Sequence, residues 1–180
     1  FYLNMSKENL IRDSLKLINE KKFAEALQNL QDVSEKDANI YFLIGSIYIS
    51  IGKLDLAEEN LKKSEKLNNR NFSVFHNLGI IAGIKKNFES AKINFLKAIE
   101  INENIDSLSE LGRIYSNENN FDEALKYFEK VLTKDPNHKK TNLRVGNMYF
   151  QMNEHKRGLK YIQKATGLIR FTNSGIEIIQ

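Results

Sequence analysis

Apolar residues recur along this chain at intervals of three and four, in blocks that short polar runs such as GIKKN (83–87) and SNENN (116–120) interrupt. That period belongs to helices with one buried stripe, and the polar runs read as tight turns between them. The pattern predicts helices over 38–51 and 54–67, 72–84 and 88–101, 105–117 and 121–134, and 139–151 and 155–169. A further helix is expected around 6–19, followed by a second that contains Ala26 and Leu30. The blocks therefore come in pairs, each pair a helical hairpin.

The pairs repeat. Gly45, Gly79, Gly112 and Gly146 stand 34, 33 and 34 residues apart. Three residues beyond each comes Tyr48, Ala82, Tyr115 or Tyr149; twelve beyond comes Ala57, Ala91, Ala124 or Gly158. Four residues further stand Leu61, Phe95, Phe128 and Ile162. Glycine in a helix interior costs about 1 kcal/mol relative to alanine. A glycine kept at one place in every pair therefore implies close approach of two backbones, Gly79 against Ala91 for example, with the large residues filling the space beside the contact. A divergent first copy aligns Ala26 and Leu30 with these columns and puts Ser14 where glycine is expected. A unit of this kind cannot bury its apolar faces alone, so its neighbours complete the core.

These columns resemble the tetratricopeptide repeat family. The copy at 105–138 carries the resemblance best, with Leu108, Leu111, Gly112, Tyr115, Ala124, Phe128, Val131 and Pro136. The resemblance extends over residues 7 to about 170. It implies an all-α, right-handed superhelical solenoid of about five antiparallel helix pairs. The expected division is a divergent pair at 1–37, units at 38–71, 72–104, 105–138 and 139–170, and an apolar tail or the start of a cap or downstream segment at 171–180.

It also implies that the first helices line a concave groove. Carried over residue by residue, the groove positions are Asn39, Phe42, Leu43, Ser46, Ile49 and Ser50; then Ser73, His76, Asn77, Ile80, Gly83 and Ile84. The later units supply Asp106, Ser109, Glu110, Arg113, Ser116 and Asn117, then Lys140, Leu143, Arg144, Asn147, Phe150 and Gln151. The lining runs from apolar to polar and basic, which would suit a peptide with apolar side chains at one end and acidic groups at the other. For Phe42, Leu43 and Ile49 a second reading stays open, that the first pair covers them as core. The family's chaperone-tail binders hold a terminal carboxylate with Lys, Asn and Arg at set positions. Here those positions read His76, Ile80, Glu110, Lys140 and Arg144, and Glu110 would repel a carboxylate. That clamp is absent.

Composition narrows the function. Hydrophobic residues make up 41% and charged residues 28%, a folded rather than disordered mixture. Asn, Lys and Ile are abundant, which reads as compositional bias without functional weight. With no cysteine there is no disulfide and no thiolate metal site. His76, His138 and His155 fall in different repeats without ligand spacing, so no metal or cofactor is expected. No phosphate loop or nucleophile motif occurs, and no catalytic residue or enzyme activity is expected. No apolar run reaches the roughly 18 residues a membrane span requires, and no signal peptide is visible. The expected location is cytoplasmic. Met5 followed by Ser6 reads as the natural start, with the four residues before it foreign to the protein.

The net charge is +4, yet residues 139–180 carry +6 and the rest −2. Lys156, Arg157, Lys160 and Lys164 lie on one helix at spacings of three and four, and form a basic stripe. It reads first as a solvated outer face, then as contact for an acidic protein, and last as contact for nucleic acid or an anionic membrane surface; in the groove itself Asp106 and Glu110 would repel phosphates. The tail GLIRFTNSGIEIIQ is apolar where a terminal repeat should be polar, so a fold-back cap, self-association or a following domain is expected to cover it. The function expected is a scaffold that binds a peptide or partner protein in the groove. The alternative is an interaction module attached to, or assisting, a bacterial enzyme domain.

Overall fold

The computed structural model describes residues 6–172 and 175–178, the two short strands at the end by their backbone. Phe1–Met5, and with them the expected natural start, lie outside the described residues. The chain divides into two compact units, Phe1–Ile101 and Asn102–Gln180. The first holds α1(Lys7–Asn19), α2(Phe23–Gln31), α3(Ala38–Ser50), α4(Leu54–Leu67), α5(Phe72–Ile84) and α6(Phe88–Ile101). The second holds α7(Ile105–Asn117), α8(Phe121–Lys134), α9(Lys139–Gln151) and α10(His155–Thr166), then β1(Ile169–Thr172) and β2(Gly175–Ile178). Helices pack as consecutive pairs, α1 with α2 through α9 with α10.

Local chemistry sets the helix ends. Ser6, Asp37, Asn71 and Asn104 accept hydrogen bonds at the starts of α1, α3, α5 and α7, satisfying amides with no partner inside the helix. Every pair turns through one left-handed residue: Lys21, Gly52, Lys86, Asn119 or Asn153, with φ between 58° and 76°. Around each, the next amide reaches back five residues, as in Lys53 N to Tyr48 O at 2.9 Å and Asn120 N to Tyr115 O at 2.9 Å. The left-handed residue's own amide reaches back three, as in Gly52 N to Ile49 O at 3.0 Å. Together these close the first helix and reverse the chain into the second.

The small-residue columns do more than bring backbones together. A Cβ on Gly79 would stand 2.7 Å from the Phe95 ring, and one on Gly112 2.7 Å from the Phe128 ring. The room these glycines leave is taken by the large residue one turn beyond the alanine. At Gly45 and Gly146 the facing backbone is also close, with Ala57 O at 3.2 Å and Gly158 O at 3.1 Å from the position a Cβ would take. In the first pair Ser14 is fully buried, its hydroxyl donating to Leu10 O at 2.7 Å with Ala26 O at 3.4 Å. It is the divergent counterpart of the glycine.

The core is a series of clusters, each between a second helix and the first helices beside it. Ala26, Leu30, Ile40, Ile44 and Ile47 form one; Ala57, Leu61, Val74, Leu78 and Ile81 another; Ala124, Phe128, Val145, Met148 and Tyr149 one in the second unit.

The end of the chain departs from the expected helix over 155–169. Helix α10 stops at Thr166 because Gly167 adopts the left-handed conformation (φ 68°), and an antiparallel hairpin follows. Its register pairs Ile169 with Ile178 and Phe171 with Ile176. Alternation of apolar and polar residues across 169–178 is a strand pattern, which outweighs helix continuation once glycine has closed the helix. The tail side chains for which a cover was expected, Ile169, Phe171, Ile176, Ile178 and Ile179, lie outside the described residues. Leu168, just before them, is 52% exposed.

Candidate partner-binding faces

In each unit the first helices of successive pairs lie side by side, α3 with α5 and α7 with α9. Residues about one repeat apart therefore meet, and the sequence-predicted site residues fall into two settings.

On the α3–α5 face, Asn77 Nδ2 donates to Ser46 Oγ at 3.2 Å and ties the two helices together. The hydroxyls of Ser46 and Ser50 donate back to Phe42 O (2.9 Å) and Ser46 O (3.1 Å) of their own helix. Phe42 and Ile49 are half-buried against the core between α4 and α5, and Leu43 against the core of the first pair. Of the three, only Leu43 is covered by the first pair as core; Phe42 and Ile49 pack against the next core, and each of the three stays partly accessible. Ser73 and Ile80 are half-buried, Asn39 is exposed, and Ile84 is 56% exposed. His76 is half-buried with its ring 5.6 Å from that of Phe95, which turns it toward the partner helix of its own pair.

The α7–α9 face is organised around one carboxylate. Glu110 is only 8% exposed. It accepts hydrogen bonds from Arg113 Nε at 2.7 Å, Arg144 Nη2 at 2.8 Å and Lys140 Nζ at 2.9 Å. Arg144 also donates through Nη1 to Ser109 O (2.9 Å) and Ser109 Oγ (2.8 Å), and Ser109 Oγ lies 3.1 Å from Thr141 Oγ1. His138 Nδ1 extends this chain, 2.8 Å from the same Thr141 oxygen. Burial alone pushes the Glu110 carboxyl up; the hydrogen bonds from Arg144, Arg113 and Lys140 outweigh it and hold the group at about 2. Three cations that the sequence offers to an acidic partner are thus already bound to a carboxylate of this chain. Asn117 and Asn147 remain exposed.

Sequence reasoning took Glu110 as a repulsive element beside a basic stretch and missed the pairing. The signal was present. Glu110 and Arg144 stand 34 residues apart, the repeat length, and Glu110 and Arg113 share a helix face.

The basic stripe of α10 is exposed at Lys156, Arg157, Lys160 and Lys164. Arg157 pairs with Glu154 at 2.7 Å and lies over the Tyr149 ring, and Lys164 lies over the Tyr161 ring. Among the described residues no group of three or more His, Cys, Asp or Glu is placed to hold a metal, and no helix is long and apolar enough to cross a membrane.

Comparison with known proteins decides the family. Models of the tetratricopeptide repeat match residues 38–71, 72–105 and 105–138, more than half of the chain. The chain belongs to the tetratricopeptide repeat family. Members of this family are protein–protein interaction scaffolds, and its repeat is the helix pair described above. A TPR repeat-containing protein of Methanocaldococcus jannaschii, MJ0798, is 29% identical over 86% of this chain and 52% of its own length. The BBSome complex member BBS4 of Bos taurus is 23% identical over 62% of this chain and 22% of its own. The chain thus spans about half or less of the length of the curated relatives it matches. Among solved structures, MamA superposes with a TM-score of 0.77 at 21% identity, covering 92% of this chain and 95% of its own. The hetero-tetramer Cut9-Hcn1 gives 0.78 at 16% identity, covering 88% of this chain and 32% of that one. These likenesses show the fold, an all-α tetratricopeptide solenoid, with the terminal hairpin added to it here.

Proposed function

We propose that this protein is a scaffold that holds a segment of a partner protein against the first-helix faces of its repeats. The observation that carries this reading is the residual surface of those helices. Burial in the core accounts for one side of α3 and α5, yet Phe42, Ile49, Ile80 and Ile84 keep apolar surface on the other, and Asn117 and Asn147 project from α7 and α9 without a structural task. Contiguous uncovered apolar surface edged by amides and hydroxyls is what a protein-binding face requires.

Photo-cross-linking tests it. A benzoylphenylalanine placed at Asn39, Ile84 or Asn147 should trap the partner, while one at Asn60 or Lys126 on the second helices should not. Adducts from the second helices alone would refute the reading. Arg144→Glu is a poor probe, because it puts a second carboxylate beside Glu110 and removes the guanidinium that neutralises it. Ile84→Asp and Asn147→Asp alter the faces without touching that cluster.

A further inference from the structure

The two faces differ in a way that specifies the ligand, and this inference rests on the scaffold reading above. Helices α3 (ANIYFLIGSIYIS) and α5 (FSVFHNLGIIAGI) contain no Asp, Glu, Lys or Arg across 13 residues each. Charged residues are 28% of the whole chain, so the gap is not general composition. The charges of this unit sit on α1, the second helices and the turns, and many pair there: Lys7 with Asp37, Arg12 with Asp13, Lys85 with Asp55 and Glu58, Lys62 with Glu58, Lys63 with Glu59. Both helices are uncharged around their whole circumference, and apart from Asn39, Ser46, Ser50, Ser73, His76 and Asn77 they are mostly apolar. A helix of that kind is normally buried on every side. Here the core takes up Ile40, Ile44 and Ile47 of α3 and Val74, Leu78 and Ile81 of α5, and leaves the Phe42–Ile49 and Ile80–Ile84 side open.

We infer that this open face binds an amphipathic helix of a partner through an apolar, uncharged side. Charge complementarity excludes an acidic or basic segment: the face has no cation to pair with a carboxylate and no anion to pair with a lysine, so a charged side chain buried here would lose its hydration without return.

Backbone accounting favours a helix over an extended segment. A strand laid on the face would bring unpaired amides and carbonyls that need partners. The hydroxyl hydrogens of Ser46 and Ser50 are committed to their own helices and one Asn77 amide hydrogen goes to Ser46, which leaves few side-chain partners for the row of amides and carbonyls of a strand. A helix satisfies its own backbone and needs only apolar contact. Each of the two supporting helices spans about 20 Å. They therefore match about 13 residues of a docked helix, with apolar anchors at i, i+3 or i+4, and i+7.

The test uses the full chain and a displayed library of random 16-residue peptides, with selected peptides resynthesised for titration. The expected consensus is a helical apolar pattern without charge on the docking side, with circular dichroism gaining helix on binding. Ile80→Asp should weaken binding roughly tenfold or more, since a carboxylate would be buried in an uncharged contact. Ile84→Asp, at a more exposed position, should do the same with an unchanged melting temperature, which covers the case in which Ile80→Asp fails to fold. An acidic consensus whose binding is lost in Lys140→Ala would overturn this inference and leave the scaffold reading standing. Peptides that bind in extended form, or a self-associated chain that Ile84→Asp converts to monomer, would also overturn it. A library from which nothing is enriched would bring down both readings.

Discussion

Replacing Glu110 by glutamine removes one charge and keeps the shape, and the structure fixes what should follow. Three donors converge on the carboxylate at 2.7 to 2.9 Å, and it is 8% exposed. Its folded pKa of about 2 against an ordinary 4.5 corresponds to roughly 3 kcal/mol favouring the ionised form, at 1.36 kcal/mol per unit. Removing one member of a buried ion pair gives a similar figure, about 3–5 kcal/mol. Lys140 is 63% exposed and easily rehydrated, so the lower end applies, about 2–3 kcal/mol. For a chain of this size that is a fall in melting temperature of about 5–10 °C.

The pH dependence has a definite sign. Glu110 is lowered in the folded state, so its contribution is fully present above about pH 5 and disappears as pH falls toward 2. Thermal unfolding followed by circular dichroism, for wild type and Glu110→Gln from pH 7 down to pH 3, reads both effects. The gap should be large at pH 7 and should close progressively below pH 5. Glu103→Gln, whose carboxylate bridges Lys130 and Lys134 at the surface, should lower the melting temperature much less. A Glu110→Gln protein within 0.5 kcal/mol of wild type at pH 7, or a gap unchanged by acid, would refute the reasoning.

Three further outcomes follow from the backbone. Lys86→Gly should stabilise by about 0.5–1 kcal/mol, because Lys86 holds φ at 60°, while Gly52→Ala at φ 76° should destabilise by about 1 kcal/mol; denaturant titration measures both. Gly112→Ala should cost about 1–3 kcal/mol by driving a Cβ within 2.7 Å of the Phe128 ring, and Gly112→Ala with Phe128→Leu should recover part of it. Gly158→Ala restores the residue of the other four repeats and gains helix propensity of about 1 kcal/mol, yet should lower the melting temperature. Its new Cβ would lie 2.9 Å from the carbonyl oxygen of Gly146, backbone that cannot step aside.

The helix pairs were legible because four columns of small and large residues recur with one period, and one geometry answers them all. Helices α5 to α9 begin and end where the apolar pattern places them. The end of α10 was not legible from helical period alone, because Gly167 closes the helix and the strand alternation after it is only a few residues long. The left-handed turn residues follow the same repeat, but only Gly52, Asn119 and Asn153 are types that suggest that conformation; Lys21 and Lys86 conceal it. Asparagine, which looks like compositional bias in the sequence, caps α5, α7 and α8 through Asn71, Asn104 and Asn120.

The candidate site was legible as a set of positions and not as a set of states. Repeat geometry identified which residues share a face, whereas the pairing of Glu110 with Arg113, Lys140 and Arg144 depends on side chains from two helices meeting at one carboxylate. What read as a gradient from apolar to basic is an uncharged face on α3 and α5 and, on α7 and α9, a cluster in which three cations share one buried carboxylate and keep a net positive charge. Asn142 shows the same limit. It occupies the place of Tyr41, Phe75 and Leu108 in the other repeats, is fully buried, and donates to Pro136 O and His138 O to hold the turn before α9.

Amide hydrogen exchange of the full chain, with and without a bound partner helix, bears most directly on the scaffold account. Protection should increase across Phe42–Ser50 of α3 and His76–Ile84 of α5 and stay unchanged along α4, α6 and α10. Protection gained on those second helices, with α3 and α5 exchanging as in the free protein, would contradict it.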